Sequence, residues 1–197
     1  MRAPLAGLAG LFLLALPAAA QQAAPVTSER LLVKPPVGFD MVFHDRKNGI
    51  EMAEMTPRGQ TIQDWTDMLT VQLIDGQNGR SPQEVLTEQF AQIKEACEDV
   101  AAGPISLAAE NGYDTALRAV GCTKAKKWGK GEVSLYKVIK GHDRLYIIAR
   151  AWRGDPFPKG QVPVPKETTA TWLTFMSQVL VCDVKDPKHP CPGDDGK

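Results

Sequence analysis

The chain has 197 residues, with 23 basic and 23 acidic side chains and four cysteines. A balanced charge argues against a nucleic-acid binder, which usually carries a basic excess. After one apolar run at the start, no segment is apolar enough to cross a bilayer, and the rest has the length of one domain able to bury its own core.

Residues 1–20 read as a signal peptide. Arg2 is a thin positive n-region, Leu5 to Leu16 an apolar h-region, and Ala18-Ala19-Ala20 a small-residue cleavage site. An uncleaved anchor is the competing reading. Cleavage removes Arg2 and leaves the mature chain near neutrality. Residues 21–28 are small and polar, a flexible leader. A single α+β domain is expected over 29–182, followed by a disulfide-closed polar tail over 183–197.

Phe39 to His44 alternates apolar and polar side chains as a strand does, Asn48-Gly49 fits a tight hairpin, and Ile50 to Met55 returns. In the next stretch Ile62, Trp65, Met68, Leu69 and Leu73 fall at helical spacing. Thr61 stands three residues before Asp64, as in a capping box. The pattern predicts a helix with Trp65 as its core anchor, Asp64 as a cap and Asp67 as a solvated first-turn carboxylate.

Ser81-Pro82-Gln83-Glu84 carries an N-cap serine, a first-position proline and the capping-box glutamate. Leu86, Phe90, Ile93 and Cys97 then repeat as one buried stripe. Beyond Gly103-Pro104 the period becomes that of strands: Ile105 to Ala109, a turn at Asn111-Gly112, and Tyr113 to Cys122. Glu132 to Lys140 and Arg144 to Trp152 form a second hairpin. The latter strand is apolar on both faces, as for a central strand covered on both sides. Asp155 to Pro165 is a stiff proline-rich loop, and Glu167 to Val181 a last helix with Trp172, Phe175, Met176 and Val179 buried.

The predicted order is β-β-α-α-β-β-β-β-α. Hairpin-linked strands segregated from helices give an α+β fold, an antiparallel sheet packed by about three helices. An even number of cysteines in an exported chain reads as two disulfides among Cys97, Cys122, Cys182 and Cys191. Four cysteines allow three pairings; the favoured one is Cys97–Cys122 with Cys182–Cys191. No pair has C-x-x-C spacing, which argues against a redox motif and a zinc knuckle, and neither metal nor cofactor is expected.

No catalytic set is legible. There is no G-x-S-x-G turn and no H-E-x-x-H, and Gly129 and Gly131 lack the rest of a phosphate-loop fingerprint. His44, His142 and His189 occupy different segments. Lys124, Lys126, Lys127 and Lys130 surround Trp128 on one loop, an arrangement suited to an anionic surface. The plainer reading is a solvated loop with its tryptophan folded back on the sheet. Arg153-Gly154-Asp155 spells an adhesion tripeptide, but three residues recur too often by chance to carry weight.

ERLL at 29–32, PPVGF at 35–39, GQTIQDWTDMLTVQ at 59–72, ENGY at 110–113, AWR at 151–153 and VCDVKDPKHPCP at 181–192 carry a resemblance. With these the chain resembles, nearly end to end, a family of uncharacterised exported proteins from proteobacteria. The resemblance implies location and architecture and supplies no catalytic residues. The element order is also similar to that of PsbP-like domains, α+β modules that serve as accessory or binding subunits.

The leading expectation is therefore a periplasmic or secreted binding or accessory module for an envelope protein or an anionic envelope component. Trp128, Lys124, Lys126, Lys127, Lys130 and Asp67 are its candidate binding residues. The alternative is a hydrolase-like enzyme assembled from Asp64, Asp67, His44 and His142.

Overall fold

A computed structural model describes residues 28–193. The expected signal peptide, the leader up to residue 27 and the last four residues of the tail lie outside the described residues. The elements are β1 (Glu29–Leu32), β2 (Phe39–Lys47), β3 (Ile50–Pro57), β4 (Asp67–Asp75), α1 (Pro82–Ala96), β5 (Val100–Ala102), β6 (Ser106–Glu110), β7 (Tyr113–Cys122), β8 (Gly131–Lys140), β9 (Arg144–Gly154), α2 (Lys166–Gln178) and β10 (Leu180–Asp183). Seven strands run in the order β2-β3-β4-β9-β8-β7-β5, and β6 also pairs with β7. All named pairings are antiparallel, and β1 pairs with β10 as a separate ribbon. The α+β class holds, with two helices among the described residues in place of about three.

Successive side chains on a strand point to opposite faces, and β9 shows what that does here. Tyr146 and Ile148 join a core with Leu69, Val71, Leu135, Ile139, Trp172, Met176 and Val179, under α2 and the β1–β10 ribbon. Leu145 and Ile147 join a smaller core with Val85 and Leu86 of α1, Ala116 and Val138. The sheet is thus a middle layer, with α1 on one face and α2 on the other.

The segment expected to be a helix over 61–73 is not one. The Thr61 hydroxyl accepts a hydrogen bond from the Asp64 amide at 3.1 Å, the contact of a helix cap, but it closes only a turn. From Asp67 the chain is β4, matched residue for residue to β9 on one side and, over Leu69–Ile74, to β3 on the other. Met68, Leu69 and Val71 are all buried because both faces of this strand are covered. A strand apolar on both sides gives no alternation, and here its apolar positions coincide with a helical spacing. The β-branched Thr66, Thr70, Val71 and Ile74 favour the extended form.

The last helix also ends sooner than expected. It stops at Gln178, and Leu180–Asp183 pairs with Glu29–Leu32, so Cys182 lies on a strand. No basic side chain occupies the last turn of α2. Lys137 of β8, 2% exposed, supplies the charge from the sheet. Its ammonium donates to the carbonyls of Met176 and Val179 at 2.7 Å each and to Glu110 Oε2 at 2.5 Å. A cation at a helix C-terminus satisfies orphan carbonyls and complements the dipole.

The start of α1 follows the sequence closely. Ser81 and Glu84 exchange both capping-box hydrogen bonds, with Pro82 in the first turn. Its end is tied by the Cys97–Cys122 bridge, Cα atoms 5.7 Å apart, and the tail by Cys182–Cys191 at 4.9 Å. Both bridges are those favoured from the sequence, and disulfides belong to oxidising compartments.

Candidate functional site

Helix α1 contacts β7 and β8. Beside it, on the same face, a groove of about 520 Å³ crosses the middle of the sheet. The even-numbered side chains of β4 and β8 and the odd-numbered ones of β9 form its floor, among them Thr70, Tyr136 and Ala149. Gln89 of α1 stands at one side, its side-chain oxygen buried without a hydrogen-bond partner.

Arg153 organises the charged end of this groove. Its Cζ lies 3.9 Å from the ring centroid of Trp65 and 4.9 Å from that of Trp128, so the guanidinium sits between two indoles. Its Nε and Nη2 each lie 2.7 Å from Glu132 Oε1, which also accepts from the Trp128 indole N–H at 3.0 Å. Trp65 is 6% exposed and part of the floor. Trp128 is 47% exposed and stands on the rim, held by Glu132 through its nitrogen instead of folded into the core. Glu54 lines the groove as well. Burial raises its pKa above the usual carboxylate range, against the opposing pull of the Thr70 hydroxyl and the Arg153 charge.

The structure separates the sequence-predicted residues. Trp128 and Lys127 line the groove, and Lys127 has no ion-pair partner among the described residues; its ammonium lies 5.7 Å from the Trp128 centroid. The other three lysines bond within the protein. Lys124 pairs with Glu98 at 2.7 Å and Lys130 with Asp155 at 3.3 Å. Lys126 donates to the Glu95 carbonyl at 2.8 Å, where it caps the end of α1.

Asp67 lies on the opposite face, on β4, and is not a solvated helix carboxylate. Its Oδ2 accepts from Arg150 at 2.6 Å, and the Trp172 indole faces it. Burial outweighs both and raises its pKa. His44, exposed on β2, pairs with Glu51 of the neighbouring strand β3. Among the described residues, no two of His44, Asp64, Asp67 and His142 share a hydrogen bond or ion pair.

Sequence reasoning missed Arg153, Glu132 and Glu54. Each sits on a strand whose neighbours in the groove come from distant parts of the chain. The only local signal was charge at alternate positions of otherwise apolar strands. A second cleft, about 450 Å³, runs under the 155–165 loop between β7, β8 and α2. Its walls, including Ala119, Leu135, Phe157 and Leu173, are mostly apolar, and no charged side chain lines it.

No family model and no curated protein matches the chain. Among solved structures it is similar to a mutant of protein Mog1, with a TM-score of 0.43 and 14% identity, over 74% of this chain and 78% of that one. It is also similar to the Saccharomyces cerevisiae Ran-binding protein Mog1p, with a TM-score of 0.42 and 12% identity, over 76% and 85%. Likenesses at this level carry no argument about function.

Proposed function

We propose that the protein is an exported, non-catalytic binding module of the cell envelope, and that its ligand lies in the Trp65–Trp128 groove. The observation that carries this reading is the Arg153–Glu132 pair held between two indoles beside a half-exposed Trp128. A tryptophan kept at a rim by its own hydrogen bond is an anchor offered to a partner. Lys127 beside it is the cation left for an acidic group. The ligand that suits these groups is a polar chain bearing negative charge, an anionic envelope polymer or an acidic segment of an envelope protein. The alternative of a hydrolase built on His44, Asp64, Asp67 and His142 draws no support from the partners those residues make.

The test is co-sedimentation with isolated peptidoglycan sacculi and, separately, with phosphatidylglycerol vesicles. Trp128→Ala is expected to weaken binding to one of these about tenfold, with the melting temperature unchanged. Lys127→Ala is expected to weaken it less, and least at high salt. Equal binding by wild type and Trp128→Ala, or no binding by either, overturns the reading.

A further inference from the structure

The protein's second cluster of chemistry-bearing side chains lies away from the groove, where the β8–β9 turn meets the tail. His142, Asp186 and His189 each offer one ligand atom there, and the three atoms lie within 4.8 Å of one another. The sequence separates His142 from the other two by more than forty positions.

His189 is the fixed member. It is 7% exposed, and its ring stacks on Tyr113 with centroids 4.1 Å apart. Its Nδ1 lies 2.8 Å from the carbonyl oxygen of Asn111. A carbonyl only accepts, so Nδ1 carries the proton, and in the neutral ring Nε2 holds a lone pair. An imidazole oriented by a backbone carbonyl through one nitrogen, with the other free, is the arrangement of a metal-ligating histidine. Here Nε2 points toward Asp186, 3.8 Å from Oδ2. Gly112 makes the room: a Cβ there would meet the His189 ring at 2.8 Å.

The surroundings hold this geometry. The Cys182–Cys191 bridge closes the loop that carries both Asp186 and His189. Within it the Asp183 amide donates to the His189 carbonyl at 2.8 Å, and the His189 amide donates to the Asp186 carbonyl at 3.0 Å. Asn111 clamps the adjacent turn to the tail through the carbonyls of Val181 and Pro190. His142, at the exposed tip of the β8–β9 hairpin, has its amide fixed by buried Glu29, whose carboxylate also lies 3.8 Å from His142 Nδ1. The His142 and His189 rings are 4.8 Å apart, edge to face.

We infer that His142, Asp186 and His189 form a binding site for a divalent transition metal, with Zn2+ as the best match to two imidazoles and a carboxylate. Ligand atoms around a tetrahedral zinc are about 3.3 Å apart. Rotation of the exposed His142 and half-exposed Asp186 side chains closes the difference while His189 stays in place. Three protein ligands leave the fourth position to water. The ion would tie the tail loop to the β8–β9 turn, so the site needs no part of the groove.

Metal-stripped, oxidised full-length protein is titrated with Zn2+ by isothermal calorimetry and melted with and without it. The expected result is one site per chain and a Tm rise of about 5–10 °C at a hundredfold excess over Kd. His142→Ala and Asp186→Asn, both at accessible positions, are each expected to weaken binding about tenfold or more. No heat and no Tm shift up to about 1 mM Zn2+ overturns the inference. So does binding that survives both substitutions, which marks an adventitious surface ion.

Discussion

The two faces of the one sheet treat charge differently. On the α2 face, buried charges are paired, although Asp67 Oδ1 and Arg150 Nε have no hydrogen-bond partner. Arg150 meets Asp67 and lies among the rings of Phe39, Trp172 and Phe175, and Lys137 is saturated by two carbonyls and a carboxylate. On the α1 face, the helix covers one end and leaves a groove lined by Lys127, which has no ion-pair partner among the described residues. Matched buried charge serves cohesion, because an uncompensated buried ion costs several kcal/mol. Incompletely matched charge at a surface groove is free to meet a ligand. The same strands build both, so the difference comes from which helix lies over which residues.

The sharpest way to break this contrast is Lys137→Met. It strands two carbonyls at the end of α2 and frees Glu110, and is expected to cost about 3–5 kcal/mol in urea unfolding. A loss under about 1 kcal/mol would mean that the α2 face does not depend on its matched charge. Trp65→Ala comes next, at about 3–4 kcal/mol, because a buried indole leaves a cavity and Arg153 loses the ring beneath it. A fully stable variant would show that the groove floor is not core.

The smallest effect is electrostatic. Burial raises the Glu54 pKa, so the folded protein binds this proton more tightly than the unfolded chain. The stability linked to it is full below the ordinary glutamate range and is lost as pH rises through the raised value. Glu54→Gln removes the cost of the buried charge. The variant is expected to melt about 1–2 °C above wild type at pH 7, with the gap closing towards pH 4. A gap independent of pH across that series of melts would show Glu54 to be fully hydrated in the groove.

How much was legible in the sequence depended on whether the signal was local. The start of α1 was legible because the capping box of Ser81 and Glu84 closes within one turn. The hairpins at Asn48-Gly49 and Asn111-Gly112 were legible because Asn48 and Asn111 adopt positive φ, which asparagine tolerates and a following glycine extends. The favoured disulfides were legible as the partners of neighbouring elements. Strand β4 was misread because its apolar pattern served two covered faces, and only pairing with β3 and β9 decided between helix and strand. Strands β1, β5 and β10 are three or four residues long and carry too few positions to show a period.

The candidate sites divide in the same way. Trp128 and Lys127 stood out because an aromatic beside cations in a loop is unusual within a few residues. The lysines around them looked equivalent, yet Lys126 caps a helix and Lys124 and Lys130 are paired, a distinction set by Glu95, Glu98 and Asp155. Arg153 between two indoles, and His142 beside His189, came together only through the strand order and the closed tail. Sequence by itself determined the α+β class and which cysteines were available to pair, because each follows from composition or nearby residues. The tertiary structure alone decided which side chains share a surface, because the sheet aligns residues that the chain keeps far apart.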